Sequence, residues 1–201
     1  MERRFSPSSL TVERADGDPV IVGYAAVFYN GSRSTEFKLF DGLVERIMPG
    51  AFTRAIEEGQ DVRGLFNHNS SSILGRTKAD TMTLREDDRG LRYEIQPSDS
   101  ESSRSVVSAI ERGDVSGSSF AFNIIEQLFR TEGDTDIREI RDVDLFDVGP
   151  VTFPAYEATE VGVRSVSPEM MDDVRNAWRR WKDDGRRQQQ AIEARVRLTT
   201  L

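Results

Sequence analysis

His68 is the only histidine among 201 residues, and the chain has no cysteine. A step that needs a neutral base near pH 7 therefore falls most naturally to one imidazole. It sits in Leu65-Phe66-Asn67-His68-Asn69, where an apolar strand runs into a polar turn. Side chains at strand ends are well placed for function, although a lone histidine there is also an ordinary surface or capping residue. A serine hydroxyl beside such a base would be a nucleophile for acyl transfer. Ser119 is the candidate, in the stretch Gly113-Asp114-Val115-Ser116-Gly117-Ser118-Ser119-Phe120-Ala121-Phe122. Gly117 permits a close approach, and Phe120 and Phe122 alternate with small residues as in a half-buried strand. Ser116 and Ser118 share the turn, and the pattern alone does not choose among the three. Nor is this the G-x-S-x-G elbow, because Ala121 stands two positions after Ser119. Asp147, in Leu145-Phe146-Asp147-Val148, is an acid in an otherwise apolar strand and needs a partner. An imidazole would serve, and so would an arginine such as Arg138 or Arg141.

The elements that must bring these side chains together are mostly short and β-prone. The first dozen residues read as a loose arm. Val20–Phe28 is apolar, with Gly23 inside it marking a bulge or a close backbone approach. Residues 30–41 read as a loop or frayed hairpin. Pro49 opens a short helix that Gly59 stops. Strand-like pieces follow at Val62–Phe66, Thr81–Arg85 and Leu91–Ile95, separated by turn-rich segments. Ser98–Glu101 caps a helix with Val106, Val107 and Ile110 on its apolar stripe, and Gly113 ends it. Two longer strands, Ser119–Leu128 and Ile137–Val148, flank the polar turn Thr131–Gly133, and a last strand is expected over Glu160–Arg164. From Pro168 the chain is helix-prone, carries both tryptophans, and reads as a helix interrupted near Asp183-Asp184-Gly185. Many short strands with two helices between them predict an α+β fold: a compact, mostly antiparallel β-barrel flanked by helices, with a C-terminal helical extension. The expected divisions are an arm over 1–19, one domain over 20–166 and the extension over 167–201.

Composition removes several function classes. Without cysteine there is no disulfide, thiolate catalysis or cysteine-bound zinc. One histidine is a poor basis for a zinc site, so no metal or cofactor is expected. A net charge of -8 argues against sequence-independent nucleic-acid binding. No apolar run approaches the roughly 20 residues of a membrane span, and residues 1–7 lack a signal-peptide stretch. A cytoplasmic, reducing setting is the expectation.

Taken in order, several short stretches resemble the prohead protease family of tailed bacteriophages, itself distantly similar in fold to the herpesvirus assemblins. They are Gly23-Tyr24-Ala25-Ala26-Val27-Phe28, Glu45-Arg46-Ile47-Met48-Pro49-Gly50-Ala51-Phe52, Phe66-Asn67-His68, Ile73-Leu74-Gly75-Arg76-Thr77, Asp88-Arg89-Gly90-Leu91-Arg92-Tyr93-Glu94, the Ser119 strand, and Leu145-Phe146-Asp147-Val148 leading to Phe153-Pro154-Ala155. The resemblance implies His68 as general base, Ser119 as nucleophile and Asp147 as third member, where the family often has glutamate. This chain departs from the family at Ala121, commonly glycine, and at Gly149, commonly serine. The implied activity is a serine endopeptidase acting in the assembling prohead within the host cytoplasm. Its substrates would be the scaffold, the major capsid protein and the protease itself, and a homodimer or higher oligomer is implied. The alternatives are a non-catalytic capsid assembly protein on the same scaffold and an unrelated serine esterase or amidase.

Overall fold

The computed structural model describes residues 1–6, 10–152 and 168–199. The chain divides into two compact units, residues 1–165 and 166–201. In chain order the first holds β1 (Glu2–Ser6), β2 (Thr11–Ala15), β3 (Asp18–Val27), β4 (Phe37–Phe40), β5 (Leu43–Ile47), α1 (Thr53–Glu57), β6 (Arg63–Leu65), β7 (Ile73–Arg76), β8 (Met82–Glu86), β9 (Gly90–Ile95), α2 (Glu101–Glu111), β10 (Gly117–Glu132) and β11 (Thr135–Val151). The second holds α3 (Pro168–Thr199).

These strands form two sheets. One runs β1-β10-β11-β5-β4, with β6 on β11 and β7 on β6; the other runs β2-β3-β9-β8. The α+β class holds, but among the described residues no barrel closes. The two sheets come close where β6 and β7 pass β9: a side chain at Gly64 or Gly75 would collide with Ile95, at 2.7 and 2.9 Å from the ideal Cβ positions. Apolar side chains fill the layer between the sheets, among them Ile21, Leu91, Tyr93, Ile95, Phe120 and Val148. The pairing is mostly antiparallel, as expected; among the described residues β5 and β6 run parallel, both against β11.

β11 organises the first sheet. Residues 136–140 pair with β5, and residues 147 and 148 pair with β6. The loop after β6 is thereby delivered to the end of β11. Gly23 is a close approach, as its position in an apolar strand suggests. An ideal Cβ there would lie 2.6 Å from the Tyr93 hydroxyl and 2.9 Å from Ser118 Oγ.

Other expectations need correction. The N-terminal stretch is no loose arm: β1 pairs antiparallel with β10 and β2 with β3. Backbone pairing there is backed by side chains, as described below. Residues 30–41 include β4, and β5 and β7 went unpredicted because both are short and charge-bearing. α3 continues through Gly185. A mid-helix glycine costs only about 1 kcal/mol relative to alanine, and an Asp183–Arg186 ion pair at 2.6 Å bridges the turn. The strand expected over Glu160–Arg164 lies outside the described residues. Among the described residues no helix is long and apolar enough to cross a membrane.

Candidate active site

Ser119 stands near the start of β10, whose opposite face is anchored in the core. Phe120 and Phe122 stack with ring centroids 4.8 Å apart, and Phe120 meets Phe52 edge-on at 5.4 Å. Side chains alternate across a strand, so Ser118 joins the Phe120 face and Ser119 points the other way. Ser118 Oγ accordingly bonds the Tyr93 hydroxyl at 2.9 Å. Burial raises the pKa of that phenol, against a smaller opposing effect from Ser118. Ser116 is exposed. The three serines that the sequence left equivalent are therefore distinct: Ser119 Oγ lies 2.5 Å from His68 Nε2.

His68 follows β6 in a loop with unusual backbone. Asn67 and His68 both adopt the left-handed region, each with φ of 54°. Asparagine and histidine are among the residues found there more often than most, but outside glycine the region still costs of order 1–3 kcal/mol unless the surroundings hold the backbone in it. Asn67 does the holding. Its backbone N–H donates to Pro150 O at 3.0 Å, its amide donates to Thr152 Oγ1 at 3.0 Å, and its Oδ1 accepts from the Thr152 N–H at 2.9 Å. The loop is thus fastened to the end of β11.

Asp147 completes the arrangement by bonding His68 Nδ1 through Oδ1. It faces Ala121 across the β10–β11 ladder, while Ser119 faces Gly149. Gly149 is required by the close passage of β6, because an ideal Cβ there would lie 2.1 Å from Leu65 O. The arginines that could have partnered Asp147 are engaged elsewhere: Arg138 with Glu45, Glu2 and Gln127, and Arg141 with Glu139. All three sequence candidates meet at one place. The side chains of His68 and Asp147 are 5% and 8% exposed, and Ser119 has no exposed surface. A hydroxyl, an imidazole and a carboxylate in that order can activate an oxygen nucleophile.

Two participants were missed in the sequence. Asn67 positions the histidine loop, and the asparagine on either side of His68 was the available signal. Arg4 offers its backbone carbonyl to Ser119 Oγ at 2.8 Å. No local pattern could have revealed that contact, which spans 115 positions.

A family model described as caudovirus prohead serine protease matches residues 8–174. No curated protein and no solved structure matches the chain.

Proposed function

Since the chain belongs to the caudovirus prohead serine protease family, we propose that it is a serine endopeptidase of capsid maturation in which Ser119 is the nucleophile, His68 the base and Asp147 its orienting acid. The observation that carries this reading is the continuous relay from Ser119 Oγ to His68 Nε2 and from His68 Nδ1 to Asp147. As Oγ attacks a peptide carbonyl carbon, Nε2 takes the hydroxyl proton and Asp147 supports the resulting imidazolium. The C–N bond then breaks, and Nε2 returns the proton to the departing amine. Water attacks the Ser119 ester with Nε2 again accepting a proton, and the carboxylic acid leaves as the serine hydroxyl is restored.

The family role points to capsid protein as substrate and to the assembling prohead in the host cytoplasm as the place of action. The proposal extends to the scaffold and self-cleavage, to a homodimer, and to a distant likeness in fold to the herpesvirus assemblins. The domain is taken as 20–166 with a carrier extension over 167–201.

The test is co-expression with the capsid protein. The wild type should truncate it, and Ser119→Ala should abolish truncation while its unfolding midpoint stays at the wild-type value. Truncation persisting at the wild-type rate would remove Ser119 from the mechanism. One feature favours a second reading. A nucleophile without exposed surface suits a non-catalytic assembly protein that retains the site, and an enzyme must uncover it.

A further inference from the structure

Residues 2–6 of the same chain lie directly against Ser119. β1 lies antiparallel on β10 with Phe5 opposite Ser119 and Arg4 opposite Phe120. This is the arrangement by which an extended peptide adds to a sheet edge: backbone pairing supplies affinity, and pockets for alternate side chains supply selectivity. Two such side chains are visible. Glu2 and Arg4 lie two residues apart, hence on one face of β1, and both enter a buried ionic cluster.

Glu45 is the fixed floor of that cluster, with no exposed surface. It accepts from Arg4 Nε at 2.5 Å and from Arg4 Nη2 at 2.9 Å, in the bidentate geometry that suits a guanidinium. Arg138 donates to Glu45 at 2.8 Å and to the Glu2 carboxylate at 2.9 Å. Glu2 also pairs with Arg4 at 2.6 Å. Two of the four charges belong to the body and two to β1. Burial opposes the Arg4 charge, but Glu45 and Glu2 together outweigh it and raise its pKa. Burial likewise opposes the Glu2 charge, and Arg4 and Arg138 overcome it.

Arg4 also supplies the carbonyl that meets the nucleophile, with its oxygen accepting from Ser119 Oγ. A reactive carbonyl presents its carbon to Oγ and its oxygen to separate donors, so this strand occupies the place of a substrate without being in position to react. It also competes for the hydroxyl proton. When Ser119 donates to Arg4 O, the Nε2 contact requires the ring proton on Nε2, which then cannot accept the serine proton.

We propose that the edge of β10 now covered by residues 2–6 is the peptide-binding groove of this enzyme, that Glu45 selects a basic side chain on the residue whose carbonyl faces Ser119, and that Arg138 favours an acidic side chain two residues earlier. This deepens the protease reading and rests on it. Residues 2–6 are then an internal mimic of the substrate, and they must leave the groove before another peptide enters. A neutral residue in place of the basic one leaves part of a buried carboxylate unpaired, which is a strong basis for discrimination.

The full-length chain tests this with a ten-residue peptide containing Glu-Arg-Arg-Phe-Ser, and with two relatives bearing alanine at the second arginine or at the glutamate. Mass spectrometry should locate the cut after the second arginine. Arg4→Glu, which sets a carboxylate against Glu45, should speed this cleavage at least about tenfold over wild type by expelling β1. Arg4→Ala should give a smaller gain, and serves in its place should Arg4→Glu not fold. Alanine at the second arginine should slow cleavage roughly a hundredfold, and alanine at the glutamate roughly tenfold. Equal rates on the three peptides would overturn the assignment, and so would Arg4 variants no faster than wild type. If no peptide is cut while capsid protein is still truncated in a Ser119-dependent way, the groove is wrong and the protease reading stands. If neither is cut, and a fluorophosphonate does not label Ser119 in the Arg4 variants, the protease reading fails and takes the groove with it.

Discussion

The two ends of the β10–β11 ribbon solve the same problem differently. At the far end Glu139 is buried and bonded to Arg141 at 2.7 Å, an acid neutralised by a guanidinium that is charged at any working pH. At the near end Asp147 is buried against His68, whose second nitrogen reaches Ser119. An arginine keeps its proton at any working pH and so can only hold its acid, whereas an imidazole can take up a proton and pass it onward. Packing differs as well. Ser118 through Phe122 have no exposed surface, yet on the same strand Ile125 and Leu128 are 55% and 42% exposed. What separates the halves of β10 is coverage. β1 lies beside the near half, and Phe52 and Tyr93 pack against it.

The largest effect that would test this contrast is on activity at the near end. His68→Ala should lower cleavage by about 10⁴ or more, measured as capsid-protein truncation, because base and nucleophile act as one unit. Asp147→Asn should cost less, about 10²–10⁴, since it disturbs the tautomer and orientation of the imidazole and leaves the base in place. An equal loss in the two variants would mean that the acid does more than orient. Packing comes next. Phe120→Ala should destabilise the fold by about 3–5 kcal/mol in urea unfolding, and Leu128→Ala by no more than about 0.5 kcal/mol. Similar losses at both sites would erase the distinction between the halves of the strand.

The smallest effect concerns the surface of the hairpin that carries the histidine loop. A hydrogen bond from Arg76, helped by Arg63, holds the Asp61 pKa at about 2, below the ordinary 3.8. Because the folded value is the lower one, this contribution is present above about 3.8 and is lost as the pH falls toward about 2. Asp61→Asn should make the acid decline in stability slightly shallower over that window, followed by thermal unfolding at several pH values. A large change would mean that this solvent-exposed pair is as structural as the buried ones.

Legibility followed the range of the interactions. β3, β9, α2 and the long hairpin were readable because alternation, a serine N-cap and a glycine stop are local signals. Ser100 does accept from the Ser103 N–H at 3.2 Å, as a cap should. β5 was not readable, because Glu45 and Arg46 interrupt its apolar pattern and are buried by partners elsewhere in the chain. The helix opened by Pro49 was readable, although its regular part is only Thr53–Glu57. For the site, residue type was enough to nominate His68, Ser119 and Asp147, but not to separate Ser119 from Ser118. Strand alternation alone puts those two on opposite faces without saying which face holds the histidine.

By itself the sequence determined the inventory: one imidazole, a serine-rich entry to a strand, an acid in an apolar run, and short strands with turns between them. Those are properties of residues and their near neighbours. Tertiary structure decided the pairings, since β6 running parallel to the end of β11 delivers His68 to Asp147, and β1 lying on β10 sets Arg4 against Glu45 and Ser119. Such pairings depend on which sheet edge captures which strand. That choice rests on burial and charge summed across distant parts of the chain, which no local stretch of sequence contains.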